Sequence, residues 1–559
     1  MFASFRLSLT WVHTWFGLVL GFVLMVAFFF GSMSVFDREI DRWSLPQTRI
    51  AAQPMPSFDK ILAARFAEMT EPDPDQLKLA AGRVSQPLPS RLTVTTWSAF
   101  TTHRDPVLDL FVGFEVPHSP VPDDQIYGQV TIDPRNGRVL PADQLPLGSG
   151  FFYPMHFSLH ITWHDLGYWI VGFAAIAMLA ALVSGVVMHR KIFREFFTFR
   201  PGRNLLRSTL DLHNLTGVVA LPFHVLWALS GLIIFAGIYF PVINKMMYPL
   251  VEAHEREEAT HTGLDVAPSG VPGTLASVDA MMTAAKSHWA SRGVPGEVGF
   301  LVVSHVGSSN ASVSIYRDST DRVATAEGLH FEGSTGRVIF EDPPVGPVET
   351  VNGFLQGMHL QQFKHWTLRW LIFAGGLLSC VCIATGFIFF VEKRKRAHAR
   401  EGHAGSRWAD ALAVTTVTGM VVATLLVLVV NRVLPEDLPQ RDLWQKSAFW
   451  SAWLLTLMHA VWRSSALRAA RMSKAWPEQC WAIALLAAAA VVLNAVTTGD
   501  HLGRTLSAGY WPVAGVDLML LVCALVAAVA AHKLQVRVRS SAFEESAGES
   551  ALDREPERA

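Results

Sequence analysis

Apolar and polar positions fall in long blocks along this chain rather than mixing evenly. Eight blocks are apolar over about 20 residues, the length a helix needs to cross hydrocarbon. They lie at about 12–36, 166–188, 213–240, 367–391, 409–431, 444–462, 479–497 and 512–532. The sixth is short and holds His459. Two long polar segments, 37–155 and 241–358, separate the first block from the second and the third from the fourth. Within them short runs carry strand and turn signals: RLTVTTW, VLDLFVGF and YGQVTIDPRNGRVL in one, VGFLVVSHV, ASVSIYRD and LHFEGSTGRVIF in the other. The pattern predicts a polytopic α-helical membrane protein, with about eight transmembrane helices and two small α+β domains outside the bilayer.

The organisation that follows is a first transmembrane helix within 1–36 and an outside domain over 37–155. The second and third helices with a basic loop fill 156–240, a second outside domain 241–358, and the fourth helix 359–395. Four appended helices occupy 396–535, and 536–559 is expected to be a disordered, acidic tail. The first block is expected to stay as an anchor, because its apolar core is long and no small-residue cleavage site follows in GSMSVFDREIDRW. Lys and Arg in short loops set orientation. The loop from His189 to Asp211 is rich in arginine, EKRKRAHAREGHAGSR follows the fourth helix, and Arg463, Arg468, Arg471 and Lys474 follow the sixth. Eight spans place all three loops on one side, with both termini cytoplasmic.

Composition agrees with this reading. Of 559 residues, 51% are hydrophobic and 17% charged, against about 25% charged in soluble chains. The net charge of −1 lacks the basic excess of a nucleic-acid binder. The 4 cysteines, Cys380, Cys382, Cys480 and Cys523, all lie in apolar runs, which argues against a disulfide framework or a thiolate-held metal.

The first 390 or so residues are two copies of one unit. WVHTWFGLVLG and LDLHNLTGVVAL align His13 with His213 and Gly17 with Gly217. TIDPRNGRVL and HFEGSTGRVI align Gly137 with Gly336, and YPMHFSLH and LQGMHLQQF align His156 with His359. SGVVMHRK and TGFIFFVEKRK each close a helix with a basic stop. Each copy reads helix, outside domain, helix, so the repeat is tandem and parallel, and its two-fold axis is expected along the membrane normal. Matching positions then share one depth.

The 21 histidines carry the chemistry. An ionisable group at membrane depth is costly and marks a functional candidate. Histidine is also the usual axial ligand of a b-type haem, and no C-x-x-C-H motif for covalent haem is present. His13 and His213 form one pair near the cytoplasmic face, each one turn before a glycine that leaves room for a macrocycle. His156 and His359 form a second pair near the outer face. His156, His160 and His164 are spaced to share one side of a helix, so His156 or His160 is the outer ligand on that copy. His224 sits near mid-membrane, three turns beyond His213 on the same face; Pro222 beside it should kink the helix, and Leu24 stands at its place in the first copy. It is a candidate ligand or relay. His189, His365 and the tryptophans near helix ends fit interfacial roles. Two haem levels could pass an electron across about 30 Å of hydrocarbon where one could not.

VHTWFGLVLG at 12–21, LHNLTGVVALPFHVLWALSGLIIF at 212–235, GYWIVGFAAIAMLAALVSGVVMHRK and the IDPRNGRV and STGRV turns resemble the PepSY-associated transmembrane family, also called the iron-regulated membrane protein family, over about residues 8–395. Members usually carry His-Arg at the helix start, where this chain has Thr14 and Asn214. The resemblance implies a bacterial inner-membrane protein with two periplasmic PepSY-like domains, similar in some members to haem-containing reductases of ferric siderophores. The expected activity is a dihaem reductase, with two haem b groups as cofactors. It would take electrons from a quinol or a cytoplasmic reductase, since no flavin or nucleotide motif is present, and pass them to a ferric siderophore or other ferric chelate. The alternative is a non-catalytic periplasmic binding or regulatory protein without haem; a transporter with His224 in a proton path is a third reading. Membrane lipid is a partner on any of these.

Overall fold

The computed structural model describes residues 5–69, 78–80, 93–101, 106–115, 125–140, 144–188, 200, 205–262, 264, 267–318, 328–344, 346–361, 363–401, 405–464 and 473–552. The chain divides into two compact units. The first comprises Met1–Pro46, Asp143–Leu232 and Thr367–Ala559, and the second Gln47–Ala142 and Ile233–Trp366.

The first unit is helical. Its elements are α1 (Phe5–Val19), α2 (Gly21–Ser34), α3 (Asp37–Ser44), α4 (Tyr153–Phe157), α5 (Leu166–Met188), α6 (Leu205–Val219), α7 (Leu221–Ile234), α8 (Trp366–Glu401), α9 (Met420–Val433), α10 (Arg441–Arg463), α11 (Ala475–Thr498) and α12 (Trp511–Leu552). Among the described residues five stretches are long and apolar enough to cross a membrane: Trp163–Met188, Trp366–Arg394, Arg407–Val433, Ala475–Thr498 and Trp511–Arg539. Two more qualify as bent pairs, α1 with α2 at 57° and α6 with α7 at 61°. This makes a multi-pass membrane protein with five to seven candidate spans. The sixth expected block, 444–462, lies in α10, a continuous 23-residue helix, but Gln445, Lys446, two serines and His459 dilute its apolar character below that of the others. The tail expected to be disordered is helical as far as Leu552, since its Ala, Glu and Leu residues favour helix; residues 553–559 lie outside the described residues.

The bends follow the repeat, at Leu20 in one copy and Ala220 in the other. Pro222 supplies a cause in the second copy, because it has no N–H to continue the ladder. In the first copy Gly21 sits at the bend, and a Cβ there would meet the Phe387 ring at 3.0 Å, so the missing side chain lets α2 approach α8 closely.

Residues 37–46 and 144–155, which hydropathy assigns to an outside domain, pack within the helical unit. Trp43 is fully buried. Its indole N–H donates to Asp517 Oδ1 at 2.7 Å, Asn494 Nδ2 donates to the same carboxylate at 3.2 Å, and the Arg432 guanidinium lies 4.7 Å from the Trp43 ring centroid and bonds its carbonyl. Asp41 accepts from the backbone N–H groups of Gly148 at 2.7 Å and Ser149 at 3.1 Å. Arg369 pairs with Glu39 at 2.9 Å and donates to the Val35 carbonyl at 2.6 Å. The appended helices therefore hold the exit of the first copy's bent helix, which hydropathy alone does not reveal.

The second unit contains one eight-stranded sheet. Its strands are β1 (Lys78–Ala80), β2 (Val94–Phe100), β3 (Leu108–Glu115), β4 (Gln125–Ile132), β5 (Val298–Ser304), β6 (Ser312–Arg317), β7 (Gly328–Glu332) and β8 (Val338–Glu341), in the order β1-β4-β3-β2-β5-β6-β7-β8. All pairs are antiparallel, and β2 meets β5 with Trp97 opposite Val303 and Ala99 opposite Leu301. The two polar segments thus share one sheet, each contributing four strands. Leu110, Val112, Leu301, Val303, Val313 and Ile315 are buried on one face with residues of the helices Ala63–Met69 and Val278–Ser291. Reciprocal caps tie the copies further. Ser57 Oγ donates to Asp279 at 2.5 Å and the Phe58 N–H donates to it at 2.7 Å, while Ser277 Oγ donates to Asp59 at 2.6 Å and the Val278 N–H at 3.1 Å. Each aspartate thus satisfies one backbone donor at the start of the other copy's helical segment.

The turns after β4 and β7 match across the copies. Gly137 and Gly336 adopt φ of +70° and +74°, and the Arg135 side chain donating to Asp133 holds that carboxyl below its ordinary range. Alanine at either glycine should cost about 1–2 kcal/mol for the left-handed backbone. Gly137→Ala should cost more than Gly336→Ala, because its Cβ would also meet Ile61 at 2.9 Å, whereas at Gly336 the nearest atom is Met281 Cε at 3.6 Å. Differential scanning fluorimetry of the two variants should show the larger fall in unfolding temperature for Gly137→Ala.

Candidate functional site

Two repeat-related histidines meet inside the helical unit. His13 on α1 and His213 on α6 have ring centroids 6.2 Å apart and planes inclined by 79°. Each is fixed by the closing helix of its own copy. His13 Nδ1 lies 2.9 Å from the Ala181 carbonyl on α5, and His213 Nδ1 lies 2.8 Å from the Cys382 carbonyl on α8. A carbonyl oxygen can only accept, so both Nδ1 atoms carry the proton, and in the neutral ring Nε2 keeps its lone pair.

One turn beyond each carbonyl is a glycine. A Cβ at Gly185 would meet His13 Cε1 at 3.2 Å, and one at Gly386 would meet His213 Cε1 at 3.3 Å. Ser184 Oγ stands 3.5 Å from His13 Nδ1 and Cys382 Sγ 3.5 Å from His213 Nδ1. The sequence pattern marked Gly17 and Gly217 instead. Among the described residues no atom lies within 4 Å of where a Cβ on Gly17 would stand, and a Cβ on Gly217 would meet Cys382 Sγ at 3.5 Å. The glycines that seat the imidazoles were missed, although the Ser-Gly and Thr-Gly steps of the aligned helix ends contain both.

His156 on α4 has the same kind of anchor. Its Nδ1 donates to the Ala27 carbonyl on α2 at 2.7 Å, and a Cβ on Gly31 would stand 2.7 Å from that nitrogen. His160 is held the other way round, with Nε2 donating to the Phe151 carbonyl at 2.9 Å and its ring stacked on Phe151. The expectation that His156, His160 and His164 share one helix side is corrected. α4 ends at Phe157, and Leu159, His160 and His164 have φ of 53°, 54° and 47°, so left-handed residues break the helix between them.

His224 is buried on α7, with Nε2 2.7 Å from Ser379 Oγ and, among the described residues, no partner at Nδ1. The 61° bend between α6 and α7 removes it from the straight face it was expected to share with His213. His359 lies in the last turn of the helix Pro347–Leu360, which belongs to the second unit. His459 Nε2 bonds the Glu478 carboxylate at 2.9 Å, and Arg463 pairs with the same group at 2.7 Å. His189 lies outside the described residues. Among the described residues no three His, Cys, Asp or Glu side chains gather as a metal cluster; the site is a pair.

The fold and the pair define a class, a multi-pass helical membrane protein whose first 390 or so residues carry a sequence repeat. Residues 10–393 match the PepSY-associated TM region family, and the chain belongs to it. It is also 26% identical over 380 residues to an uncharacterized protein of Pseudomonas aeruginosa, a match covering 63% of this chain and 87% of that relative. The family match ends before α9, so the appended helices lie beyond it.

The seating of His156 is testable. Gly31→Ala should force the imidazole off the Ala27 carbonyl and cost about 1–3 kcal/mol, as overpacking does. Gly17→Ala should be neutral or stabilising by up to about 1 kcal/mol from helix propensity. Thermal unfolding of both variants in the same detergent checks the contrast; equal effects would contradict the placement of His156.

Proposed function

We propose that the chain is a haem-dependent inner-membrane reductase, passing electrons from a quinol or cytoplasmic donor to a periplasmic ferric siderophore or similar chelate. The observation that carries this reading is the His13–His213 pair. His13 and His213, with ring centroids 6.2 Å apart, are the residues that would hold a haem iron. A ligating histidine almost always donates its other N–H to a carboxylate, carbonyl or water, and both Nδ1 atoms are placed for this. Among the described residues nothing lies within 4 Å of where a side chain at Gly17 would begin, which would leave room for a flat macrocycle.

Haem b would supply one-electron transfer at this pair. The chain's own residues set its surroundings: Ala181 and Cys382 orient the two imidazoles, Gly185 and Gly386 let the closing helices approach them, and α5 and α8 fix the spacing. A second haem at an outer level rests on the sequence repeat alone, which makes His156 and His359 counterparts. The Nδ1 anchor of His156 favours it over His160, whose Nε2 is engaged by Phe151. The Ser379 bond on His224 Nε2 sets that residue apart from the pair.

Purified protein should show b-type bands in a dithionite-reduced minus air-oxidised spectrum, at about two haems per chain. His13→Ala and His213→Ala should each remove about half of the bound haem, while His160→Ala should leave it in place. A chain that stays colourless after haem-supplemented expression would overturn the reading.

The proposed topology has eight spans with both termini in the cytoplasm. Trp444, Leu454, Leu455, Met458 and Trp462 project outward from α10, which supports it as the eighth span in lipid. A fluorescent-protein fusion after the C-terminus should then be bright and an alkaline-phosphatase fusion there inactive. The reverse pattern would reduce the spans to seven.

A further inference from the structure

We propose that two helices of the second unit, Pro241–Thr262 and Pro347–Leu360, are seated in the lipid headgroup region, with bare apolar surfaces turned into the bilayer. The first follows the end of α7 and the second precedes α8, so both continue from membrane-spanning helices.

The apolar side chains on them are unusually bare. Phe240, Val242, Met246, Met247 and Leu250 are exposed in the first stretch, Met246 at 72%. Val242, Met246 and Leu250 recur every fourth residue, so they stack along one side of the helix. On the second helix Val348, Val351 and Phe354 are exposed, Val348 at 85%. Among the described residues of the second unit nothing covers these side chains. Apolar surface of this kind, left open, marks a membrane or partner contact.

Charge distribution favours the bilayer as the occupant. From 241 to 251 the only charged residue is Lys245, whose long stem can reach back to the headgroups. From 252 to 262 there are five charged residues, Glu252, Glu255, Arg256, Glu257 and Glu258. Pro249, inside the helix, marks the change from one half to the other. An apolar half that continues from a span and a charged half that follows it match a chain leaving lipid for water. Glu349 is likewise the only charged residue of the second helix, and Trp366 and Trp370 stand exposed at the start of α8, where an aromatic belt is expected.

The test uses nitroxide labels on the full-length protein in lipid nanodiscs, one each at Met246→Cys, Leu250→Cys, Val351→Cys and Glu257→Cys, in a Cys523→Ala background. All four positions are surface residues, so the substitutions spare the fold. Power-saturation measurements should show positions 246, 250 and 351 several-fold more accessible to oxygen than to a water-soluble nickel chelate, and position 257 the reverse. Equal nickel access at 246 and 257 would overturn the proposal. So would shielding of 246 and 351 from both reagents, which would mean a protein covers them, either a second copy of the chain or a separate partner.

Discussion

An imidazole N–H at membrane depth needs an acceptor, because no water is there to supply one. The helical unit meets that need in the same manner three times: a histidine on one helix donates through Nδ1 to a backbone carbonyl on a helix packed against it. The bond fixes ring plane, tautomer and helix spacing together. It also explains the glycines, since a side chain at 31, 185 or 386 would occupy the volume the ring needs. Helix packing and the orientation of the His13 and His213 imidazoles are therefore one constraint.

Much of the architecture was legible in the sequence because two signals are strong. Apolar blocks of spanning length mark helices whatever their neighbours, and an offset of about 200 residues between WVHTWFGLVLG and LDLHNLTGVVAL marks the duplication. Seven of the eight blocks fall on helices or bent pairs that can span, and the strands read from RLTVTTW to GRVIF are all present. What stayed hidden depends on long-range contact. Burial of Trp43 against Asp517 joins residues 474 positions apart, and pairing of β2 with β5 leaves no local trace in either strand.

The same division holds at the site. His13 and His213 stood out because the repeat placed them at one depth. The partners that orient them are backbone carbonyls, which no residue type announces. His156, His160 and His164 looked like one helix face because the spacing is right, but spacing assumes a continuous helix, and positive φ at Leu159 and His160 breaks it. His224 shares a helical register with His213 on paper and loses it at the bend near Pro222.

The crossed caps and the central β2–β5 pairing bear on how such a chain could arise. Each copy's helix is capped by an aspartate from the other, and each copy's innermost strand completes its ladder on its counterpart. Two separate single-copy chains making those contacts would form a closed two-fold dimer, with one self-complementary surface. Joining them end to end keeps the geometry and frees the halves to differ. The second half carries His224 where the first has Leu24, an asymmetry that a symmetric pair of identical chains could not carry.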